Sequence, residues 1–150
     1  MIPNELGNYN GVIMRAIKNI RLKHYDYSQN GYYFVTICTN YRRSYLKILS
    51  NEIQNAIEKL NEIKGVKIDY YSILSSHMHL IIILNECKIH LSEIVRRFKA
   101  LSSKEAGIKL WQPNYYEHVI RNEQALFKIR EYIINNPLKE KIEFKQFYKS

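Results

Sequence analysis

The stretch Ser75-Ser76-His77-Met78-His79-Leu80-Ile81-Ile82-Ile83-Leu84 decides the fold. Its apolar and β-branched residues predict a strand, and side chains alternate along a strand, so His77 and His79 point to one side. Both faces are apolar beyond the histidines, which indicates a central strand covered on both sides. The two histidine Cα atoms would lie roughly 6–7 Å apart, so both imidazoles could bind one divalent ion, with a third ligand from elsewhere. Two half-buried histidines bonded to neighbouring groups are the alternative interpretation.

The composition is that of an ordinary globular protein. The 150 residues are enough for one domain with one core, and they are 46% hydrophobic and 25% charged. No apolar run reaches the roughly 18–20 residues of a membrane span, and the N-terminus has no apolar signal segment. We therefore expect a cytoplasmic protein. Cys38 and Cys87 are too few for a disulfide framework or a Cys-type zinc site, and we expect both in the core.

The charge favours a polyanionic partner. The formal net charge is +9, and nucleic-acid phosphates are the usual partner of such a chain. The many lysines and tyrosines are also typical of an AT-biased genome, so the arginine positions carry more weight than the total. An arginine pair, Arg42 and Arg43, follows a predicted strand and suits phosphate or base contact, or an exposed solvated loop.

The patterns along the chain predict one α+β domain over residues 1–150, with a basic N-terminal arm at 1–31 and a basic C-terminal tail at 138–150. We expect a four- or five-stranded antiparallel sheet with helices on one face. Pro113 places the last strand at or near an edge, and Trp111 is expected to pack rather than to stack on bases. The predicted strands are 32–39, 66–74, the histidine strand and 115–120, and the predicted helices are 51–64, 90–106 and one from Asn122 to Pro137.

The last predicted helix carries a second set of candidate residues. Tyr132 and Asn136 are four residues apart, so they share a helix face that adjoins the buried stripe. A tyrosine oxygen can attack a phosphodiester and form a phosphotyrosine. Two histidines and an amide oxygen would give a cation three ligands, with positions open for phosphate and water; Mg²⁺ or Mn²⁺ would suit this chemistry. A core tyrosine between helix and sheet is the alternative.

The sequence resembles the HUH-type single-tyrosine transposases, and most closely the REP-associated tyrosine transposases. The resemblance runs over most of the chain. The matching blocks are 25–28, 33–39, 76–80, 98–99, 110–112, 115–122 and 132–137. The two last blocks, at their distance from a His-x-His strand, are the most specific part of this match.

The resemblance implies a ferredoxin-like HUH fold and a metal-dependent endonuclease and strand transferase acting on single-stranded DNA hairpins. His77 and His79 would bind the metal, Asn136 would be the third ligand, and Tyr132 would form a 5′-phosphotyrosine and leave a free 3′-hydroxyl. Such proteins act as monomers or homodimers on bacterial genomes, which implies a cytoplasmic, nucleoid-associated protein. A domesticated module that binds nucleic acid without cutting it is the alternative. Position and charge give the candidate DNA contacts as Arg42, Arg43, Arg97, Lys99, His118 and Arg121.

Overall fold

The structure is a computed structural model, and it describes residues 30–135. Several predictions concern residues outside this range. They are the basic arm before residue 30, the candidate ligand Asn136, the helix-ending Pro137 and the tail at 138–150.

One four-stranded antiparallel sheet forms the centre of the described residues, as predicted. The strands are β1 (Gly31–Cys38), β2 (Val66–Ile73), β3 (His77–Leu84) and β4 (Tyr116–Ile120). Their spatial order is β2-β3-β1-β4, so the histidine strand is central and β4 is an edge strand, which confirms both predictions. With one helix after β1 and another after β3, this is the ferredoxin-like arrangement.

Within residues 30–135, three α-helices accompany the sheet, each close to its predicted position. They are α1 (Ser50–Asn61), α2 (Leu91–Ala106) and α3 (Glu123–Asn135), and a short 3₁₀ turn spans Asn40–Arg42. Helix α1 ends at Asn61 instead of the predicted Lys64. Within the described residues, no helix has the length and apolar character needed to cross a membrane.

The helices cover both faces of the sheet, which corrects the expectation that they share one face. Helices α1 and α2 bury the face that carries Val35 and Leu80. Helix α3 packs on the opposite face through Ile129 and Ile133. The physical reason is that the central strands are apolar on both sides, so a second face also needs cover. The second core consists of Phe34, Ile81, Ile120, Ala125, Ile129 and Ile133.

Local signals fix the ends of the helices. The Asn122 side chain accepts a hydrogen bond from the Ala125 N–H at 2.8 Å, so Asn122 caps α3 as predicted. Gly107 ends α2 in the left-handed region at φ 75°, where glycine has no Cβ to clash. Trp111 is buried and donates from Nε1 to Ser102 Oγ at 2.8 Å, which confirms that it packs in the core.

A tight hairpin joins β2 to β3 at Ser75 and Ser76. The Leu74 N–H donates to the His77 carbonyl at 2.9 Å, and this bond closes the turn directly before the histidine pair. The irregularity in the pairing of these two strands lies farther along β2, between Ile68 and Tyr71. The turn therefore holds the histidine end of β3 in a regular ladder.

Candidate active site

The two histidines of β3 lie side by side on the face covered by α3. His77 is 1% exposed and His79 is fully buried. Their ring centroids are 5.0 Å apart, with an interplanar angle of 78°. Alternation along the strand places both imidazoles on the same side as Ile81, which packs against α3. The expected juxtaposition of the pair is thus present.

His79 is held in place by the neighbouring strand. Its Nδ1 lies 2.8 Å from Thr36 Oγ1, the hydroxyl of its partner residue on β1. The Phe34 ring stacks on the His79 ring at 5.4 Å between centroids and 22° between planes. Burial, followed by the nearby His77, holds the pKa of His79 well below its usual value. His79 is therefore neutral near pH 7, the form in which an imidazole nitrogen binds metal ions.

Tyr132 reaches this pair from α3. Its ring lies 5.6 Å from the His79 ring at 62°, and 6.1 Å from the Phe34 ring at 84°. Ile129 and Ile133 bury the adjacent stripe of the helix and hold it against the sheet. The Tyr132 side chain is half-buried. It packs between the helix and the sheet and also lies next to the histidines. The structure brings Tyr132 and the histidine pair together.

Thr36 and Ser72 of this face were missed by the sequence interpretation, and Tyr116 had been considered only for base stacking or packing. Thr36 and Ser72 are the direct neighbours of His79 on β1 and β2, and Tyr116 is the neighbour of Thr36 on β4. Ser72 is buried, and its hydroxyl makes no hydrogen bond within residues 30–135. These residues form a polar row across the sheet at the level of His79. Only the cross-strand register reveals that row, because the four residues lie on four different strands.

Tyr116 lies at the β4 end of the row. Burial, more than the nearby Cys38, raises the pKa of its phenol, and hydrogen bonds from Gln112 and Arg42 oppose that shift. Arg42 therefore stands beside the same face of the sheet as the histidines. It is the predicted DNA contact that the structure links most directly to the polar row.

The turn that carries Arg42 has an unusual backbone. Tyr41 and Arg42 both have φ near 56°, a region that non-glycine residues seldom adopt. Tyr41 is 79% exposed, and the Arg43 guanidinium lies 5.7 Å from the centre of its ring. The turn thus presents an aromatic ring and two cations to solvent at the end of β1.

The other four candidate DNA contacts fall into two groups. His118 is on β4, on the face that carries Tyr116, and Arg121 follows that strand and is exposed. Arg97 and Lys99 are on α2, which covers the opposite face. Arg97 pairs with Glu93 at 3.0 Å, and Lys99 donates to the Gln112 carbonyl at 2.9 Å and to the Asn114 carbonyl. The structure does not bring this second group to the histidine face.

Two candidate metal ligands, His77 and His79, lie within the described residues. Within residues 30–135, no group of three or more His, Cys, Asp or Glu side chains is placed to hold a metal ion. The predicted third ligand, Asn136, lies one residue beyond α3 and outside the described range. The donor set fits a divalent cation as far as it is described, since it offers two neighbouring imidazoles, of which His79 is neutral.

Comparison with known proteins assigns the chain to a family. The sequence model of IS200-like transposases matches residues 27–136. An uncharacterized protein from Haemophilus influenzae is 33% identical over 81% of this chain and 88% of its own length. A REP-associated tyrosine transposase from Escherichia coli is 32% identical over 75% of this chain and 70% of its own length.

A solved structure agrees with this assignment. The structure of a REP-associated tyrosine transposase bound to a REP hairpin superposes with a TM-score of 0.71 at 30% identity. It covers 81% of this chain and 74% of that one. The chain therefore belongs to the IS200-like transposases, among the REP-associated tyrosine transposases.

Proposed function

We propose that this transposase cuts and rejoins single-stranded DNA at hairpins through a covalent bond to Tyr132. The observation that carries the proposal is the 5.6 Å separation between the Tyr132 and His79 rings, beside a second imidazole. The hairpin as substrate is supported by the solved relative, whose structure contains a REP hairpin. The formal net charge of +9 suits a DNA partner.

The proposed reaction exchanges one phosphodiester for another. The Tyr132 oxygen attacks the phosphorus, the bond to the 3′ oxygen breaks, and the DNA 5′ end becomes a phosphotyrosine. The phenol loses its proton and the departing 3′ oxygen gains one, so a free 3′-hydroxyl remains. Attack by a 3′-hydroxyl on the phosphotyrosine reverses these changes and rejoins the strand.

His77 and His79 would hold the divalent cation, with Asn136 as the proposed third ligand. Mg²⁺ or Mn²⁺ would offset negative charge on the non-bridging phosphate oxygens, and imidazole ligands favour Mn²⁺ of the two. With Nε2 as the ligating atom, Nδ1–H of His79 would donate a hydrogen bond to Thr36 Oγ1, which would fix the tautomer and the ring orientation. The hydroxyl thus prepares His79 for ligation.

The proposed DNA path follows the histidine face. Arg42 and His118 lie on or beside that face, Arg43 follows Arg42 in the turn after β1, and Arg121 directly follows β4. Arg97 and Lys99 remain candidate contacts for DNA that passes around to α2. Action on bacterial repeats would place the protein in the cytoplasm at the nucleoid, as a monomer or a homodimer.

The test is a labelled hairpin oligonucleotide with a single-stranded flank, incubated with Mn²⁺. A label on the 3′ end should migrate with the denatured protein, while a label on the 5′ end should leave as a shorter strand. Tyr132→Phe should bind the oligonucleotide and form no adduct. Tyr71→Phe is the control, because it removes an exposed phenol from β2 at the position that pairs with Leu80, and it should still form the adduct. An adduct of full yield in Tyr132→Phe would refute the role of this residue.

A further inference from the structure

An extra residue in β2 shapes the surface beneath α3. Along the β2–β3 ladder, Ile68 pairs with Ile82, but the next pair is Tyr71 with Leu80. Strand β2 thus advances three residues while β3 advances two, which defines a β-bulge. A bulge changes the direction of the side chains that it contains, compared with their direction in a regular strand. The bulge here contains Asp69 and Tyr70.

Both bulge residues contact the same side chain of α3. Arg130 Nε donates to Asp69 Oδ2 at 2.8 Å, and the Arg130 guanidinium lies 5.1 Å from the centre of the Tyr70 ring. The Asp69 side chain is 9% exposed and that of Arg130 is 31% exposed. Water screens so sheltered a pair less than a surface pair, and breaking it would leave a carboxylate poorly solvated. Arg130 therefore ties α3 to the edge strand.

The ion pair between Arg130 and Asp69 anchors the same helix that carries Tyr132. Residues two positions apart on a helix point about 160° apart, so Arg130 and Tyr132 flank the buried stripe on opposite sides. A rotation of about 20° about the helix axis moves a side-chain tip at a radius of about 6 Å by about 2 Å. Ile129 and Ile133 are packed on the buried stripe between these two flanks. The hydrogen-bonded ion pair of Arg130 adds a directional contact on one flank, and this contact opposes such a rotation.

We propose that Asp69 and Tyr70 are positioning residues that act through Arg130 to hold Tyr132 at the histidine pair. This role rests on the proposed function of Tyr132. We call the three residues a clamp, in which the bulge presents Asp69 and Tyr70 to the Arg130 guanidinium. The same extra residue places Ser72 opposite His79. Without it, an unbroken register would put Tyr71 there and displace the polar row.

Single-turnover adduct formation at saturating hairpin oligonucleotide tests the clamp. Asp69→Asn and Arg130→Gln should each slow this step by about tenfold to a hundredfold, because small displacements of a nucleophile are costly. The dissociation constant for the oligonucleotide should not change. The double variant should be no slower than the slower single variant, because both substitutions break one interaction.

Three further variants separate positioning from stability. Tyr70→Phe keeps the ring face and should react at the wild-type rate, whereas Tyr70→Ala should be slow. Glu105→Gln is the matched control, since it breaks the 3.3 Å ion pair between Lys59 and Glu105, which joins α1 to α2 on the other face. Glu105→Gln should leave the rate of adduct formation unchanged, even if it lowers the melting temperature as much as Asp69→Asn does.

Hydrogen exchange of the α3 amides gives a readout that does not need activity. Asp69→Asn should speed exchange in Glu123–Asn135, and Glu105→Gln should not. Wild-type rates in both clamp variants, or rates that only follow melting temperature across all variants, would overturn the proposal. A wild-type protein that forms no adduct would instead refute the proposed function and the positioning role with it, and the exchange data would still decide whether the clamp anchors α3.

Discussion

Thr36 Oγ1 and His79 Nδ1 lie 2.8 Å apart across two adjacent central strands. The contact is buried and joins residues that are 43 positions apart in the chain. It leaves Nε2 as the nitrogen of His79 that can face a cation. The orientation of one proposed ligand is thus set by the strand pairing and not by the histidine alone.

Thr36→Val should weaken Mn²⁺ binding about tenfold to a hundredfold, because it removes the hydrogen bond and keeps the shape of the side chain. Isothermal titration with Mn²⁺ measures the effect directly. Thr36→Ser keeps the hydroxyl and should bind Mn²⁺ nearly as the wild type does. Equal affinity in all three proteins would show that this hydroxyl does not orient His79.

His77→Ala and His79→Ala should each lose metal-dependent cleavage, since each removes one of the two described candidate ligands. Cleavage of the hairpin oligonucleotide is compared in Mn²⁺ and in EDTA. His90→Ala is a suitable control, because His90 is exposed and its side chain makes no capping hydrogen bond to α2. Wild-type cleavage that is equal in EDTA and in Mn²⁺ would contradict the metal assignment.

A mixture of Tyr132→Phe and His79→Ala should form no adduct. The reason is that the Tyr132 ring contacts the His79 ring of its own chain, so neither variant contains a complete site. The mixture is assayed at equal concentrations beside each variant alone. Recovery of adduct would mean that one chain supplies its tyrosine to the histidines of another.

The core offers a prediction about stability that is separate from activity. Trp111 Nε1 donates to Ser102 Oγ at 2.8 Å, and both side chains are buried. Ser102→Ala leaves the indole N–H without its acceptor and should lower the free energy of unfolding by about 1–3 kcal/mol. Urea denaturation measures this, with the exposed Ser92→Ala as control. A loss equal to that of Ser92→Ala would contradict the account of this contact.

The elements of the fold could be predicted from sequence because each carries its own pattern. Strand β3 is apolar on both faces after the histidines, and this alone indicates its central place. The side of the sheet that α3 covers could not be predicted in the same way. Its stripe of Ile129 and Ile133 specifies an apolar partner but not which face supplies it, and that face is assembled from residues of three strands.

The residues of the candidate site also differ in whether a local sequence pattern could predict them. His77, His79 and Tyr132 could be predicted as candidates because a strand period and a helix period place them, and because family resemblance links them. Thr36 and Ser72 were missed because their place beside His79 depends on register, and in β2 that register depends on a bulge. Asp69 and Arg130 were missed for the same reason, since nothing local in the sequence pairs them.

The most direct measurement of the central claim is the identity of the residue bonded to DNA. The wild-type adduct is digested with nuclease and trypsin, and the nucleotide-bearing peptide is sequenced by mass spectrometry. The tryptic peptide from Glu131 to Lys139 contains Tyr132 as its only tyrosine. We predict that this peptide carries the nucleotide through a phosphotyrosine. A nucleotide on any other peptide, or cleaved DNA with no protein attached, would contradict the account.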